Sequence, residues 1–399
     1  MIDILKITFI FLFILFLLRK KINIGYTLLA GSLLFVIFYS FDFEKTCSSL
    51  LKTLTSHTTL NLLFSLTLIK SFEYSLRQTG LMQSMTEASQ TLLNNKKFSI
   101  ISMPLIIGML PSLGGAYLSA PMVDTATKNL SMSNEEKAFI NYWFRHPWEL
   151  ILPLYPGIVL ASALSGIPLR DLILLNLPVA IIFFISGFFL SMKNLKSEKK
   201  SIKAFKMLKN LYSFIPIILV LLPVILLKVD LSITLFLNIL IICFYFRVKF
   251  KKTISIIKYG FTLDVIVLVL GVMIFKEMLQ SSGAVDGVAK AITQSGVPYL
   301  VVFISVPLFI GLITGISVGF VGSTFPLLLH LKKIVPYEIS IAFVSGYIGV
   351  LISPLHLCLI LTREYFRADM FGIYRKIIPA CIIIFSTALI EFAVLRYYN

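Results

Sequence analysis

Apolar runs of about twenty residues recur along the chain, separated by short basic segments. "ITFIFLFILFLL" (7–18), "LILLNLPVAIIFFISGFFL" (172–190) and "IIPACIIIFSTALIEFAVL" (377–395) are long enough, or nearly so, to cross a bilayer. The short alternating segments of a membrane β-barrel do not occur. In lipid every backbone N–H and C=O must be satisfied within the protein, so an all-α polytopic membrane protein is the expected class. The pattern predicts spans near 2–18, 22–41 and 57–77 and an amphipathic stretch over 79–95. An apolar segment at 98–130 follows, interrupted at "PSLGG" (111–115), and another at 134–165, interrupted at "HPWELILP" (146–153), before a last span at 170–192. The order then returns: spans near 211–228, 230–247 and 259–280, then a stretch at 283–296. Interrupted segments follow at 299–332 ("TGISVG", 314–319) and 337–366 ("VLISP", 350–354), and a final span covers 371–395.

The return is visible in the letters. "PLIIGML" (104–110) reappears as "PLFIGLI" (307–313) at an offset of 203, and "ELILPLY" (149–155) aligns with "VLISPLH" (350–356) at 201. Gly80 and Gly283 each open the weakly amphipathic stretch, again 203 apart. Three matches in order at nearly one offset mark an internal repeat. If the first interrupted segment of each half is a re-entrant hairpin, each half crosses an odd number of times and the second half is inverted. The expected fold is therefore about ten transmembrane helices in two inverted repeats, each with a re-entrant hairpin and a broken helix. Residues 1–192 form the first repeat and 211–399 the second, joined by a basic cytoplasmic linker at 193–210.

Charge fits this order. The net charge of +17 does not point to nucleic acid, because Lys and Arg cluster between apolar runs, as the positive-inside rule requires. With both termini outside, the inside segments (19–21, 70–97, 126–137, 193–209, 247–258 and 362–376) hold 25 of the 36 basic residues. Basic residues follow the first span and no small-residue cleavage site does, so it reads as an uncleaved span of a multi-pass inner-membrane protein. Cys47, Cys243, Cys358 and Cys381 show no paired spacing; the last three lie in apolar stretches and read as inert helix residues.

Broken helices at membrane depth free N–H and C=O groups that lipid cannot satisfy, so they must be buried in protein or line a polar cavity. Helix N-termini there hold anions and freed carbonyls hold cations. The candidate substrate residues are Ser112, Gly114 and Gly115 at one tip, Thr314, Gly315, Ser317 and Gly319 at the other, and Arg145. Asp124, Asn141, His146, Glu149, Pro153, Ser353, Pro354 and His356 are candidates for coupling-ion or helix-break roles. Ionisable residues in a membrane cost about 2.5–3.5 kcal/mol each and so face partners or a cavity. Bland alternatives stand beside these. Gly311, Gly315 and Gly319 fall four apart, the spacing of a helix-packing face. Pro153 and Pro354 are also compatible with simple kinks, and Arg145 with Glu149 as a buried ion pair. His146 and His356 are compatible with proton carriage or with satisfied burial.

Two motifs carry no weight. "GISVG" (315–319) matches a nucleophile pattern without its strand-to-helix turn, so an intramembrane serine protease using Ser317 and His356 is the least favoured reading and no enzyme is expected. His146 and Glu149 have an H-x-x-E spacing, but Pro147 disfavours the helix that would align them, so no metal ligands are assigned. No phosphate loop is present and no cofactor is implied beyond a sodium ion or proton as coupling ion.

"GMLPSLGGAYLSAPMVD" (108–124), "NYWFRHPWELILPLYPG" (141–157) and "SGYIGVLISPLHLCLILTREYF" (345–366) resemble the signature stretches of an uncharacterised prokaryotic integral membrane protein family, domain of unknown function 401. More distantly, that family is similar to the ion transporter superfamily, which includes citrate and gluconate permeases and sodium-coupled dicarboxylate symporters. The resemblance implies an elevator-type carrier with a scaffold of the first three spans of each half (2–77 and 211–280) and a moving transport domain (98–192 and 299–395). It implies substrate and cation sites at the tips and breaks, and a homodimer formed by the scaffold. The symporters carry a Ser-Asn-Thr motif at each tip, and the tips here depart from it. The expected function is secondary active transport of a small organic anion, with sodium or proton coupling; a cation/proton exchanger or channel-like permease is the alternative.

Overall fold

The computed structural model describes residues 2–20, 22–39, 43–91, 96–110, 115–128, 130–192, 211–283, 287, 290, 294–331 and 335–398. The linker at 193–210 and the tip residues Ser112 and Gly114 lie outside them, as does most of 284–293. Among the described residues there is no strand. The first half runs α1 (Ile2–Arg19), α2 (Ile24–Phe38), α3 (Phe43–Thr55), α4 (His57–Gln78), α5 (Leu81–Thr91), α6 (Lys96–Gly108), α7 (Gly115–Thr127), α8 (Asn134–Trp143), a 3-10 turn (Pro147–Leu150), α9 (Pro156–Ser165) and α10 (Leu169–Met192). The second runs from a 3-10 turn (Leu211–Phe214) into α11 (Ile215–Leu226), α12 (Leu231–Tyr245), α13 (Phe250–Tyr259), α14 (Leu263–Ser281), α15 (Tyr299–Thr314), α16 (Ser317–Leu331), α17 (Pro336–Ile352), α18 (Leu357–Phe366) and α19 (Met370–Tyr398).

The outer faces are those of a membrane protein. On α1, Ile7, Ile10 and Ile14 are buried while Leu5, Phe9, Leu12 and Phe16 are exposed, so both stripes of the helix are apolar. α11, α12 and α19 likewise present Leu222, Phe244 and Ile382 outward. A chain in water would form a polar stripe opposite its buried one. Among the described residues, three passages are long and apolar enough to cross a bilayer: Leu169–Met192, Pro336–Phe366 taken through its break, and Met370–Tyr398. A fourth is the pair Phe250–Tyr259 and Leu263–Ser281, bent by 40°. This is fewer than the predicted ten, because apolar helices such as α2, α9, α12, α15 and α16 have only 10–17 residues. At ~1.5 Å rise per residue, such helices fall short of a ~30 Å hydrocarbon core.

Two helices went unpredicted. α3 and α13 each stand before the third span of their half, in segments the hydropathy pattern left between spans. Both are short and amphipathic, a pattern that lies along an interface instead of crossing it. The glycines expected to open the next stretch do so by closing the helix before it: Gly80 (φ 76°) and Gly283 (φ 67°) take the left-handed conformation that ends α4 and α14.

Packing crosses between halves. α2 lies on α14 and α4 on α12, while α6 pairs with α7 and α15 with α16 as helical hairpins. Glycines set the closest approaches. A Cβ on Gly25 would stand 2.4 Å from the Val267 carbonyl oxygen, and one on Gly271 2.4 Å from the Gly25 oxygen. Gly311 is likewise within 2.1 Å, measured from a built Cβ, of the Gly346 oxygen on α17. The four-residue glycine spacing thus divides: Gly311 is a packing residue, and Gly315 ends α15 with φ 66°.

Gly25→Val drives a branched side chain into the α14 backbone and is expected to abolish the monodisperse protein on size-exclusion chromatography in detergent. Gly80→Ala, where no atom lies near the added methyl, is expected to cost only the left-handed strain, about 1–2 kcal/mol, and to leave that peak in place.

Candidate functional site

α8 starts from a capping box, in which the Ser133 hydroxyl accepts from Glu136 N (3.2 Å) and the Glu136 carboxylate from Ser133 N (3.1 Å). It cannot run through Pro147, which has no N–H to give. His146 N instead closes on the Trp143 carbonyl (3.1 Å), and Pro147 opens the 3-10 turn. α17 stops in the same way before Pro354, with Ser353 N on the Val350 carbonyl at 3.1 Å. The sequence placed the interruption inside 350–354; the non-helical residues are Ser353 to His356, with Pro354 and Leu355 in a turn between two extended residues.

The carbonyls freed at one break are capped by side chains from elsewhere, and two of the caps are reciprocal. Tyr142 on α8 donates to the Leu351 carbonyl at the second break (2.9 Å). Tyr347 on α17 donates to the His146 carbonyl at the first (2.8 Å). Asn176 on α10 donates to the Leu150 carbonyl (3.1 Å) and is held by the Ser340 hydroxyl (2.8 Å). Tyr374 caps Ile352 at 3.1 Å, and the Tyr155 hydroxyl donates to the Gly108 carbonyl at the end of α6. These tyrosines were absent from the sequence candidates; the signal was there, as Tyr142 precedes His146 by four residues and Tyr347 precedes Leu351 by four.

The second hairpin tip enters between the breaks. Ser353 donates from its hydroxyl to the Leu312 carbonyl (2.7 Å) and accepts from Leu355 N (3.2 Å). His356 Nδ1 meets the Gly315 carbonyl at 2.7 Å. Gly315 has room for no side chain, since an added Cβ would lie 2.9 Å from His356 N. Ser317, the first residue of α16, donates to Glu149 Oε2 at 3.3 Å and lies against Gly157 of α9. Thr314 turns its hydroxyl back to the Ile310 carbonyl at 2.8 Å, and a Cβ on Gly319 would meet Thr314. His146, Glu149, Gly315, Ser317, Ser353 and His356 thus form one contiguous cluster, with Pro354 in its turn and Pro153 in the turn before α9.

Arg145 has the most exposed need. Its residue is 4% accessible, and its Nε and Nη1 are buried with no hydrogen-bond partner. The Arg145–Glu149 ion pair does not form: Glu149 faces Ser317 and His146 (Oε1 to Nε2, 4.0 Å), and no carboxylate among the described residues lies within ion-pair distance of the guanidinium. The close approach of Gly108 to the Arg145 backbone puts the guanidinium's residue beside the end of α6. Gly115 opens α7, where its carbonyl accepts from Ser119 (3.1 Å).

Two candidates stand apart. Asp124 pairs with Lys137 (2.8 Å), about nine residues or ~14 Å along α7 from the tip. Asn141 is buried, donating to Ala116 O (3.2 Å) and Thr362 Oγ1 (3.0 Å), which ties α7, α8 and α18 together; its own Oδ1 has no partner. Ser317 and His356 form no dyad, since the Ser317 hydroxyl donates to Glu149, while His356 Nδ1 meets Gly315 and its Nε2 faces His146.

The 3-10 turn also reverses the objection to the H-x-x-E spacing. Residues three apart eclipse in such a turn, so Pro147 aligns His146 with Glu149 instead of separating them. His146 Nε2 and His356 Nε2 lie 3.0 Å apart, with Cys358 Sγ in the same group of atoms, all within 4.8 Å of one another. Cys358, read from the sequence as inert, was findable from its H-x-C spacing with His356.

No curated protein sequence matches the chain. Among solved structures it is similar to the crystal structure of the Alcanivorax borkumensis YdaH transporter, described as having an unusual topology, with a TM-score of 0.62 over 88% of each chain at 13% identity. At that identity the likeness is one of fold. Residues 3–395 match the family described as protein of unknown function (DUF401), and with nearly the whole chain covered, this membrane protein belongs to that family.

Proposed function

We propose that the chain is a secondary active transporter that moves a small organic anion, a carboxylate, across the inner membrane with sodium or proton coupling. The observation that carries this reading is the buried, unpartnered guanidinium of Arg145 beside the helix breaks. A cation held in a membrane without a counter-charge calls for an anionic ligand. In this reading Arg145 neutralises the carboxylate, and the tip amides with the hydroxyls of Ser112, Thr314 and Ser317 hold its oxygens. The coupling ion sits by Glu149 and Ser353, where the breaks meet. No catalytic role is assigned to any residue.

The likeness of fold to a solved transporter supports the reading, as does the order of elements among the described residues, in which α11–α14 and α15–α19 follow the order of α1–α4 and α6–α10. We read the halves as inverted repeats of the ion transporter superfamily type, with about ten spans and both termini outside. α6 and α7, of 13 residues each, rise ~20 Å and suit a re-entrant hairpin. A scaffold of α1, α2, α4, α11, α12 and α14, dimeric through that scaffold, would carry a moving body of hairpins and broken helices. A cavity of ≈ 490 Å³ between α4, the α9–α10 turn and the α11–α12 turn, lined by Asn61, Arg170 and Asp230 among others, lies at the boundary such an elevator motion uses. A cation exchanger is the second reading, favoured by the cluster of His146, His356 and Cys358, with Glu149 4.0 Å from His146.

Thermal stabilisation of the detergent-solubilised protein across a panel of organic anions tests the first reading, since a ligand of the folded state raises its melting temperature. A carboxylate is expected to do so, and Arg145→Gln is expected to abolish that shift while raising the melting temperature of the unliganded protein, because it removes the desolvation cost of an uncompensated buried charge. Unchanged anion affinity in Arg145→Gln removes the role assigned to Arg145. In proteoliposomes, uptake is expected to accelerate under an imposed sodium or pH gradient; uptake indifferent to both sinks the coupling.

A further inference from the structure

The two imidazoles at the breaks are fixed by groups that allow one tautomer each. His146 Nδ1 lies 2.5 Å from the Tyr142 carbonyl and His356 Nδ1 2.7 Å from the Gly315 carbonyl. A carbonyl only accepts, so each Nδ1 carries a hydrogen and each neutral ring turns a lone pair out through Nε2. Those two lone pairs face each other at 3.0 Å. Two acceptors at that distance repel unless a cation lies between them. A ring nitrogen held by a backbone carbonyl while its partner nitrogen is free is also the arrangement that orients metal-ligating histidines.

Two further donors stand near this point. Cys358 Sγ falls in the group of ligand atoms within 4.8 Å of one another; Glu149 lies outside that group, with Oε2 taken by Ser317 and Oε1 4.0 Å from His146 Nε2, and its carboxylate would have to turn in to complete the set. Two imidazoles, a thiolate and a carboxylate are a tetrahedral N2SO set. Metal–nitrogen bonds of about 2.0–2.1 Å and a metal–sulfur bond of about 2.3 Å need the ring nitrogens only some tenths of an ångström farther apart. The thiolate and carboxylate together balance a divalent charge, which a site in lipid requires. The ligand types exclude Mg²⁺, Ca²⁺ and Na⁺, which favour all-oxygen shells.

We propose that His146 Nε2, His356 Nε2, Cys358 Sγ and a Glu149 carboxylate oxygen form a binding site for one divalent transition metal of the Zn²⁺ class, joining the two helix breaks. The site does not depend on the transport reading: a protein that takes no organic anion still binds the metal, and an anion carrier without metal leaves the transport reading intact.

The test uses the full chain in detergent, stripped with chelator and then dialysed against ZnCl₂ or CoCl₂. Elemental analysis after gel filtration is expected to return one zinc per chain. The cobalt form is expected to show a thiolate-to-metal charge-transfer band and the intense visible bands of tetrahedral Co²⁺. Cys358→Ser is expected to lose the charge-transfer band while its elution profile stays that of the parent. His356→Gln and Glu149→Gln are each expected to weaken zinc binding tenfold or more. Should His356→Gln fail to fold, the Cys358→Ser spectrum decides alone. Absence of stoichiometric metal, which leaves a shared proton only between the rings, overturns the proposal, as does a charge-transfer band that survives Cys358→Ser.

Discussion

A carbonyl freed inside a bilayer has no water to turn to, and this structure is organised around meeting that demand. Each helix that stops at Pro147 or Pro354 leaves acceptors with nowhere to go in lipid. The chain answers with fixed donors: Tyr142 for Leu351, Tyr347 for His146, Asn176 for Leu150, Tyr374 for Ile352, Ser353 for Leu312. Leaving one such group unpaired costs about 1–3 kcal/mol, a large share of a membrane protein's margin. With the backbone satisfied this thoroughly, the groups left over stand out. The guanidinium of Arg145 and the facing Nε2 atoms of His146 and His356 are where need is concentrated.

The opposite character of these two needs matters. Arg145 presents positive charge without a partner, and the paired imidazoles with Cys358 and Glu149 present lone pairs and negative charge. Arg145 and His146 are adjacent in sequence, while His356 and Cys358 come from the second break. The meeting of the two breaks therefore holds complementary sites, one fitted to an anion and the other to a cation, in a setting where low polarity strengthens the field of each on the other.

Much of the fold was legible because prolines and glycines punctuate a membrane chain. Pro147, Pro153, Pro354 and Gly315 mark breaks from the letters alone, and the 201–203 residue offset exposes the repeated order. The boundaries of α3 and α13 were not legible, since a short amphipathic helix among charged residues lacks the length that hydropathy reads. Nor was the 3-10 turn: proline signals a stop, and only the coordinates tell that the stop is a tighter turn that brings His146 and Glu149 to one side. Arg145 was picked out by its charge, but its want of a partner is a statement about every neighbour at once, which no linear pattern contains. Cys358 was passed over because apolar flanks suit an inert thiol as well as a ligand.

The reciprocal tyrosine caps also bear on how the chain is made. The His146 carbonyl, which takes Glu149 N within its own turn (3.2 Å), gains its second donor from a hydroxyl 201 residues downstream. At ribosomal rates of ~5–20 residues per second, that is roughly 10–40 s of synthesis during which the first break sits in the membrane without its cap. For that interval the Glu149 N–H of the same turn is the donor left to the His146 carbonyl. The last stretch of translation then does more than append helices, for it closes a break opened long before.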